Sequence, residues 1–556
     1  MAAEAEGSRP DVHEPGPVTE VDAVVVGAGF AGMYMLWRLR RLGLSAQVIE
    51  AAGDVGGTWW WNRYPGARCD IESMDYSYSF DPDLEQEWDW SERYATQPEI
   101  LAYAGHVADR HDLRRDIRFE TRVTGASWDE LEGRWLVRTD ADDRFRARFL
   151  VMAVGCLSAA KEPEIEGIGT FAGPTHHTGR WPHEGVDVSG QRVGVIGTGS
   201  SGIQSIPLLA EVAEHLTVFQ RTPSYAVPAQ NAPLDPEFVA ERKANYRAHR
   251  ETLRTETHGG VVVPPPAGSL AEAAPETRAE RLRAGWESGK LFGLLGAFSD
   301  VMVDREANAV VAEYAHQRIA EIVEDPEVAR RLMPTTYPIG AKRLCLDTDY
   351  YATYNRPNVE LVDLRETPIE AIVPQGVRTT DRVHELDVLV FATGFDAMTG
   401  ALLAPEIRGR DGVSLREKWA SGPRTYLGLA TAGFPNLFMV TGPGSPSVLT
   451  NMMVSIEQHV EWISDCIAHL QTAGMATIEA DPDAEDAWVE HVNELAGYTL
   501  YPEGNSWYLG ANVPGKPRVF MPYLGGVAGY RQRCEAVASD GYVGFTLERA
   551  GAASDA

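Results

Sequence analysis

The stretch "VDAVVVGAGFAGMYMLWRLRRLGLSAQVIE", residues 21–50, decides the fold. It reads as a buried strand, a glycine turn at Gly27, Gly29 and Gly32, an amphipathic helix, and a second strand ending in Glu50. Glycines in those places allow a tight turn, close approach of backbone to a pyrophosphate, and close packing of helix on strand. The helix N-terminus then faces the anion. The same grammar returns at "QRVGVIGTGSSGIQSIPLLAEVAEHLTVFQRT", residues 191–222, with Gly197, Gly199 and Gly202 in the glycine places. In both units the second strand ends 23 residues after the first glycine, at Glu50 and at Gln220. Two matched strand-turn-helix units carry far more weight than a lone glycine pattern.

The strand ends separate two ligands. Glu50 offers a carboxylate to both ribose hydroxyls of an unphosphorylated adenosine and repels a 2'-phosphate, so the first unit suits FAD or NAD. The second unit ends in neutral Gln220 followed by Arg221 and Thr222, a permanent cation and a hydroxyl donor suited to the 2'-phosphate of NADPH. Two such sites imply electron transfer from NADPH to a flavin at the first site. "DVGGTWWWNRYPGARCD", residues 54–70, fits beside a flavin: Gly56 and Gly57 permit a turn against the dinucleotide, and Trp59, Trp60 and Trp61 supply flat apolar surface. A core or domain-interface cluster is the plainer reading of Trp60 and Trp61. The strand endings "FLVMAVGCLS" (149–158) and "LDVLVFATGFD" (386–396) mark crossings between two domains. The expected fold is α/β, with two Rossmann-like dinucleotide-binding domains and a helical insertion in the second. An FAD domain spans 21–155 and 388–556, and an NADPH domain spans 156–387, with 231–335 as the insertion.

Composition sets bounds on function. The 556 residues, 44% hydrophobic, suffice for several buried cores, and no apolar run approaches the ~18 residues of a membrane helix. Residues 1–20 read as a disordered leader. Five scattered cysteines without a CxxC pair argue against a disulfide framework, a zinc cluster or a dithiol centre, and fit a cytoplasmic protein. No metal site is expected. A net charge of -30 repels nucleic acid. "FAGPTHHTGRWP", residues 171–182, has no helix or strand period and reads as a loop just before the second glycine turn. The charged helical stretches of the insertion read as mostly solvated faces.

These motifs together resemble the type I Baeyer–Villiger monooxygenases, flavoenzymes that insert one oxygen atom of O2 beside a ketone carbonyl. Phe171, Gly173, His177, Trp181 and Pro182 match one family signature in full; Gly56, Gly57, Trp59, Tyr64, Pro65, Gly66 and Asp70 match the other. "YPIGAKRLCLD", "GPRTYLGL", "GPGSPSVLTNM" and "NSWYLGANVPGKPRVFMPY" look like the phenylacetone and steroid monooxygenase subgroup. The resemblance implies tightly bound FAD at Gly27, Gly29, Phe30, Ala31, Gly32, Glu50, Gly57, Thr58, Trp59, Asp70, Tyr76 and Met452. It places NADPH at Arg68, Asp70, Gly197, Thr198, Gly199, Ser200, Ser201, Gly202, Arg221, Thr222, Lys342, Arg343 and Trp507. It assigns His177 a coupling role with Phe171, Gly173 and Trp181, and puts Ser447, Val448, Leu449 and Met452 around a ketone pocket. In that reading NADPH reduces FAD, O2 gives a peroxyflavin, and its anion attacks the ketone to yield an ester or lactone plus water. Arg343, polarised by Asp70, is the fixed cation that keeps the oxygen adduct unprotonated. The implied partners are a small ketone and O2, with no nucleic acid, membrane or protein partner.

Overall fold

The computed structural model describes residues 17–549. Residues 1–16 of the expected leader lie outside the described residues, and β1 (Val18–Val26) begins inside the remainder of it. From β1 the chain runs into α1 (Phe30–Arg41) and β2 (Ala46–Ile49), and β1 and β2 pair in parallel. Alternation along β1 puts Val25 in the core under α1 and helix Met452–Ala473, while Val24 and Val26 join a second core on the opposite face. A parallel strand covered on both faces reads as an unbroken apolar run, which is why 23–26 carries no polar residue.

The first sheet has eight strands. Its order is Glu406–Arg408, Val123–Asp129, Arg134–Thr139, Arg144–Met152, β1, β2 and Ile117–Arg118, with Leu437–Met439 also pairing with Arg144–Met152. Strands from both ends of the chain therefore share one sheet. The second sheet is all parallel, ordered Val359–Asp363, His215–Gln220, Arg192–Ile196, Val388–Phe391, Thr175–His177.

Three expectations need correction. The domain boundary expected at 388 falls one strand too early, because Val388–Phe391 lies between Arg192–Ile196 and Thr175–His177 in the second sheet. The stretch 171–182 is not all loop: Thr175–His177 is a short edge strand, since backbone pairing with Leu389–Phe391 needs no hydrophobic period. The insertion is helical, with Pro236–Thr255, Pro275–Glu287, Arg305–Ile322 and Pro326–Leu332, but one face of its first helix turns charges inward, while Glu237, Glu241, Arg247 and Glu251 stay exposed. Arg250 is 5% exposed and bonds Glu85 at 2.8 Å; Arg242 and His249 both meet Asp75 at 2.7 Å; Arg254 meets Glu457 at 3.1 Å. These carboxylates come from remote segments of the flavin-side body, so helix periodicity alone could not reveal them. Buried charges persist where they are paired.

Candidate active site at the junction of the two nucleotide-binding units

Both glycine turns are built alike. Gly27 and Gly197 have φ of +102° and +113°, and a Cβ on either would lie 2.6 Å from the carbonyl oxygen of Ala153 or 2.4 Å from that of Ala392. Each turn thus presses against one of the strand endings where the chain crosses over. The helices that follow, α1 and Ser200–Val212, start at Gly29 and Gly199 with no side-chain cap and no acidic residue in the first turn. Their first N–H groups are free to meet phosphate, and a Cβ on Gly199 would meet open space. Phe30 and Ala31 are buried as the opening of α1, and Gly32 packs so tightly that its Cβ would collide with the Gly27 carbonyl. Thr198 is buried with its hydroxyl on the Thr222 carbonyl at 3.1 Å, while Ser200 is exposed and Ser201 half-buried at the helix start.

The two strand ends differ as their residues demand. Glu50 is buried, and its two oxygens accept the backbone N–H groups of Ala28 (2.6 Å) and Ala52 (2.7 Å). Burial raises its pKa against those hydrogen bonds. It therefore secures the glycine turn itself, with lone pairs left for a ribose. Gln220 is fully buried and donates to the Arg331 carbonyl at 2.8 Å. That leaves exposed Arg221 as the charged group of the second unit. Lys342 lies over the Tyr337 ring at 4.9 Å, and burial, then the charge of Arg221, pushes its amine below the usual lysine value. Two cations thus converge without a carboxylate between them, an arrangement that invites an anion.

Arg343 follows directly in sequence and reaches the opposite way. Its Nε and Nη2 donate to one oxygen of Asp70 at 3.1 and 2.5 Å, and Nη1 donates to the Val448 carbonyl. The side chain is 17% exposed. Burial works against the charge, but the Asp70 carboxylate more than offsets it and holds the guanidinium pKa above its ordinary value. Val448 ties this cation to the loop carrying Ser447, Leu449 and Met452. Val448, Leu449, Met452, Leu157, Trp507 and Tyr508 form one apolar cluster with Met398 and Phe520. Ser447 is fully buried with its hydroxyl on the Met398 sulfur at 3.9 Å, an interior position beneath the loop. Trp507 is half-buried against Tyr508, ring centroids 4.4 Å apart.

The flavin-side signature forms a floor. Thr58–Trp61 is a single helical turn opened by Gly57; Trp59 is buried and its Nε1 donates to the Tyr76 hydroxyl at 3.3 Å. Trp60 packs against His183 with ring centroids 4.6 Å apart and the rings tilted by 56°, the interface role open to it from sequence. Arg68 bonds Glu92 (3.0 Å) and the Tyr94 carbonyl (2.7 Å), and lines a cleft with Gln204, Glu211 and Asp349. It therefore lies beside helix Ser200–Val212, where its carbonyl accepts from Gln204.

His177 accepts the Gly179 N–H on Nδ1 at 3.0 Å and meets the Thr393 hydroxyl through Nε2 at 3.2 Å; Thr393 donates to the Lys161 carbonyl at 3.1 Å. Burial, then Arg180, lowers its pKa, so the neutral Nε2–H tautomer fits both bonds. It joins the signature strand to both crossings of the chain. Phe171 packs in the core of the second sheet, Trp181 is buried against His176, and a Cβ on Gly173 would lie 2.2 Å from the Asp387 carbonyl. Lys161, Thr393 and the Val448 carbonyl escape sequence reading, because each acquires its role only from a partner far along the chain. Among the described residues no cluster of metal-ligating side chains occurs, and no helix is long and apolar enough to cross a membrane.

Comparison with known proteins now decides the family. The family described as pyridine nucleotide-disulphide oxidoreductase matches residues 24–255. A Baeyer–Villiger monooxygenase of Pseudooceanicola batsensis is 44% identical over 536 residues, covering 95% of this chain and 97% of its own. The chain belongs to the Baeyer–Villiger monooxygenases. These are FAD- and NADPH-dependent flavoproteins that oxidise ketones to esters or lactones, and the two-Rossmann architecture is theirs. A steroid monooxygenase solved in its oxidized form with NADP is 54% identical, with a TM-score of 0.92 over 96% of this chain and all of the other. A phenazine N-monooxygenase of Lysobacter antibioticus is 44% identical over 95% of this chain and 97% of its own. Cys69, Cys156, Cys345, Cys466 and Cys534 are all free and buried.

Proposed function

We propose that this monooxygenase acts on a bulky, aromatic or cyclic ketone, with Arg343 as the cation at the reacting carbonyl and Asp70 as its anchor. The observation that carries this reading is the guanidinium held between a carboxylate and the carbonyl of the pocket loop. FAD, when bound at the first unit, accepts hydride from NADPH and activates O2. Arg343 supplies a positive charge that does not release its proton at any physiological pH, so an oxygen nucleophile beside it stays anionic and a developing alkoxide on the former carbonyl is stabilised. Asp70 keeps two guanidinium N–H groups occupied and fixes the plane of the third. Trp507, Tyr508 and the apolar loop residues exclude water from the charge. Their apolar character supports a large hydrophobic ketone over a small polar one. Arg221 and Lys342 hold the 2'-phosphate, the free N–H groups of helix Ser200–Val212 the pyrophosphate, and those of α1 the pyrophosphate of FAD. Five buried, unpaired thiols support a reducing, cytoplasmic setting.

A panel of aryl, cyclic and steroid ketones, run under isotopically labelled O2 and scored by product mass, tests the substrate class. A single labelled oxygen in an ester is expected. The phenazine relative favours a second reading, N-oxygenation of a flat heteroaromatic, which the same panel with phenazine added reports as an N-oxide. Arg343→Ala is expected to keep NADPH-driven flavin reduction and to lose ester formation by about a hundredfold or more. A normal ester yield from that variant removes Arg343 from its place.

A further inference from the structure

Gln204 lies one turn into helix Ser200–Val212, behind the glycines of the second nucleotide unit. Its side chain faces away from the nucleotide end and spends both of its polar atoms on the flavin-side signature. Oε1 accepts the Tyr64 hydroxyl at 2.8 Å, and Nε2 donates to the Arg68 carbonyl at 3.0 Å. Its backbone carbonyl packs on Gly66 so closely that a Cβ there would lie 2.1 Å away, and Gly66 has φ +81°. Segment 64–68 is thus gripped at three points by one residue of a helix belonging to the other sheet. Tyr64 is half-buried, and desolvation followed by the nearby Asp70 charge raises the pKa of its phenol, so it remains a donor. Two residues beyond the grip stands Asp70, whose oxygen takes two N–H groups of Arg343.

We infer that Gln204 is a positioning residue, tying the Asp70–Arg343 pair to the helix on which the second nucleotide sits, so that pair and nucleotide are placed as one unit. The inference rests on the assignment of Arg343 as the reacting cation. A grip of this kind matters because a misplacement of about 1 Å at a charged pair costs on the order of a hundredfold in rate. The ring of Tyr64 packs against the core under this helix, and among the described residues Gln204 is the helix side chain that hydrogen-bonds segment 64–68 at both ends.

The test uses the FAD-loaded enzyme with a ketone substrate and measures ester formed and hydrogen peroxide released per NADPH consumed. Gln204→Met keeps the volume and removes both hydrogen bonds. It is expected to retain FAD and to be reduced by NADPH at a rate within about twofold of wild type, while the ester-to-peroxide ratio falls about tenfold. Gln204→Glu keeps the acceptor for Tyr64 and is expected to recover part of that ratio. Should Gln204→Met lose FAD, Tyr64→Phe carries the test, since it removes one bond at an unchanged fold and is expected to lower the same ratio. An unchanged ratio in whichever of these variants holds FAD, or a ratio that falls only in step with lost FAD, overturns the inference. Arg343→Ala run in parallel separates the two claims. If it still makes ester, the underlying assignment fails; if it makes none while Gln204→Met behaves as wild type, only the role of Gln204 fails.

Discussion

Lys342 and Arg221 are neighbours of like charge, and among the described residues neither forms an ion pair with a carboxylate. Holding them together costs free energy, which a 2'-phosphate bound as proposed would offset. Replacing either by Ala is expected to raise the KM for NADPH by about tenfold to a hundredfold at nearly unchanged kcat, with NADH less affected. The pH dependence has a definite sign. The Lys342 amine is charged below its pKa, and burial with Arg221 lowers that pKa. NADPH binding is therefore strong at neutral pH and weakens as pH rises, at lower pH than an ordinary lysine would set. Measured KM for NADPH between pH 7 and 10 should climb in the wild type and stay flatter in Lys342→Arg, whose cation persists.

Helix Pro236–Thr255 shows how a segment's surroundings override its pattern. Its sequence is that of a solvated helix, yet Arg250 is driven into the flavin-side body to meet Glu85, the Asp75 carbonyl at 3.1 Å and Ser77 at 2.6 Å. Arg250→Met is expected to destabilise the protein by about 3–5 kcal/mol, because it leaves the Glu85 carboxylate buried and unpaired. Glu85→Leu added to it should recover much of the loss in thermal denaturation. Glu85 already has a pKa raised by burial, opposed by Arg250. Removing Arg250 raises it further, so the deficit should shrink as pH falls and the carboxyl takes up its proton. The signature strand Thr175–His177 makes the complementary point: three residues with no pattern of their own become strand because an edge of the second sheet is free to pair.

The two largest sheets of the described residues are joined at two crossings, with residues from the signature loops at the joints. His177 bonds Thr393 at one crossing and, through it, the Lys161 carbonyl at the other. Lys161 in turn donates to the Asn512 carbonyl and Lys516 to Asp396, which tethers the Trp507 segment to the same crossings. His177→Ala is expected to leave binding of FAD and of NADPH within a few-fold of wild type and to lower the rate of ester formation by about tenfold or more. Equilibrium binding and product formation, measured on one preparation, check this. An equal loss in both would assign His177 to folding alone.

Two strand-turn-helix units and the signature residues were legible from the chain because they are local: a glycine turn, a buried strand and the residue at its end lie within one contiguous stretch whose periodicity announces them. The pairing of Arg343 with Asp70 came from family resemblance, since a Lys-Arg pair in a loop has no local mark of its role. The place of strand Val388–Phe391, the burial of Arg250 and the partners of His177, Arg68 and Gln204 could not be read this way. Each depends on which distant segment supplies the opposing backbone edge, carboxylate or hydroxyl, and that contact exists only once the two bodies have packed.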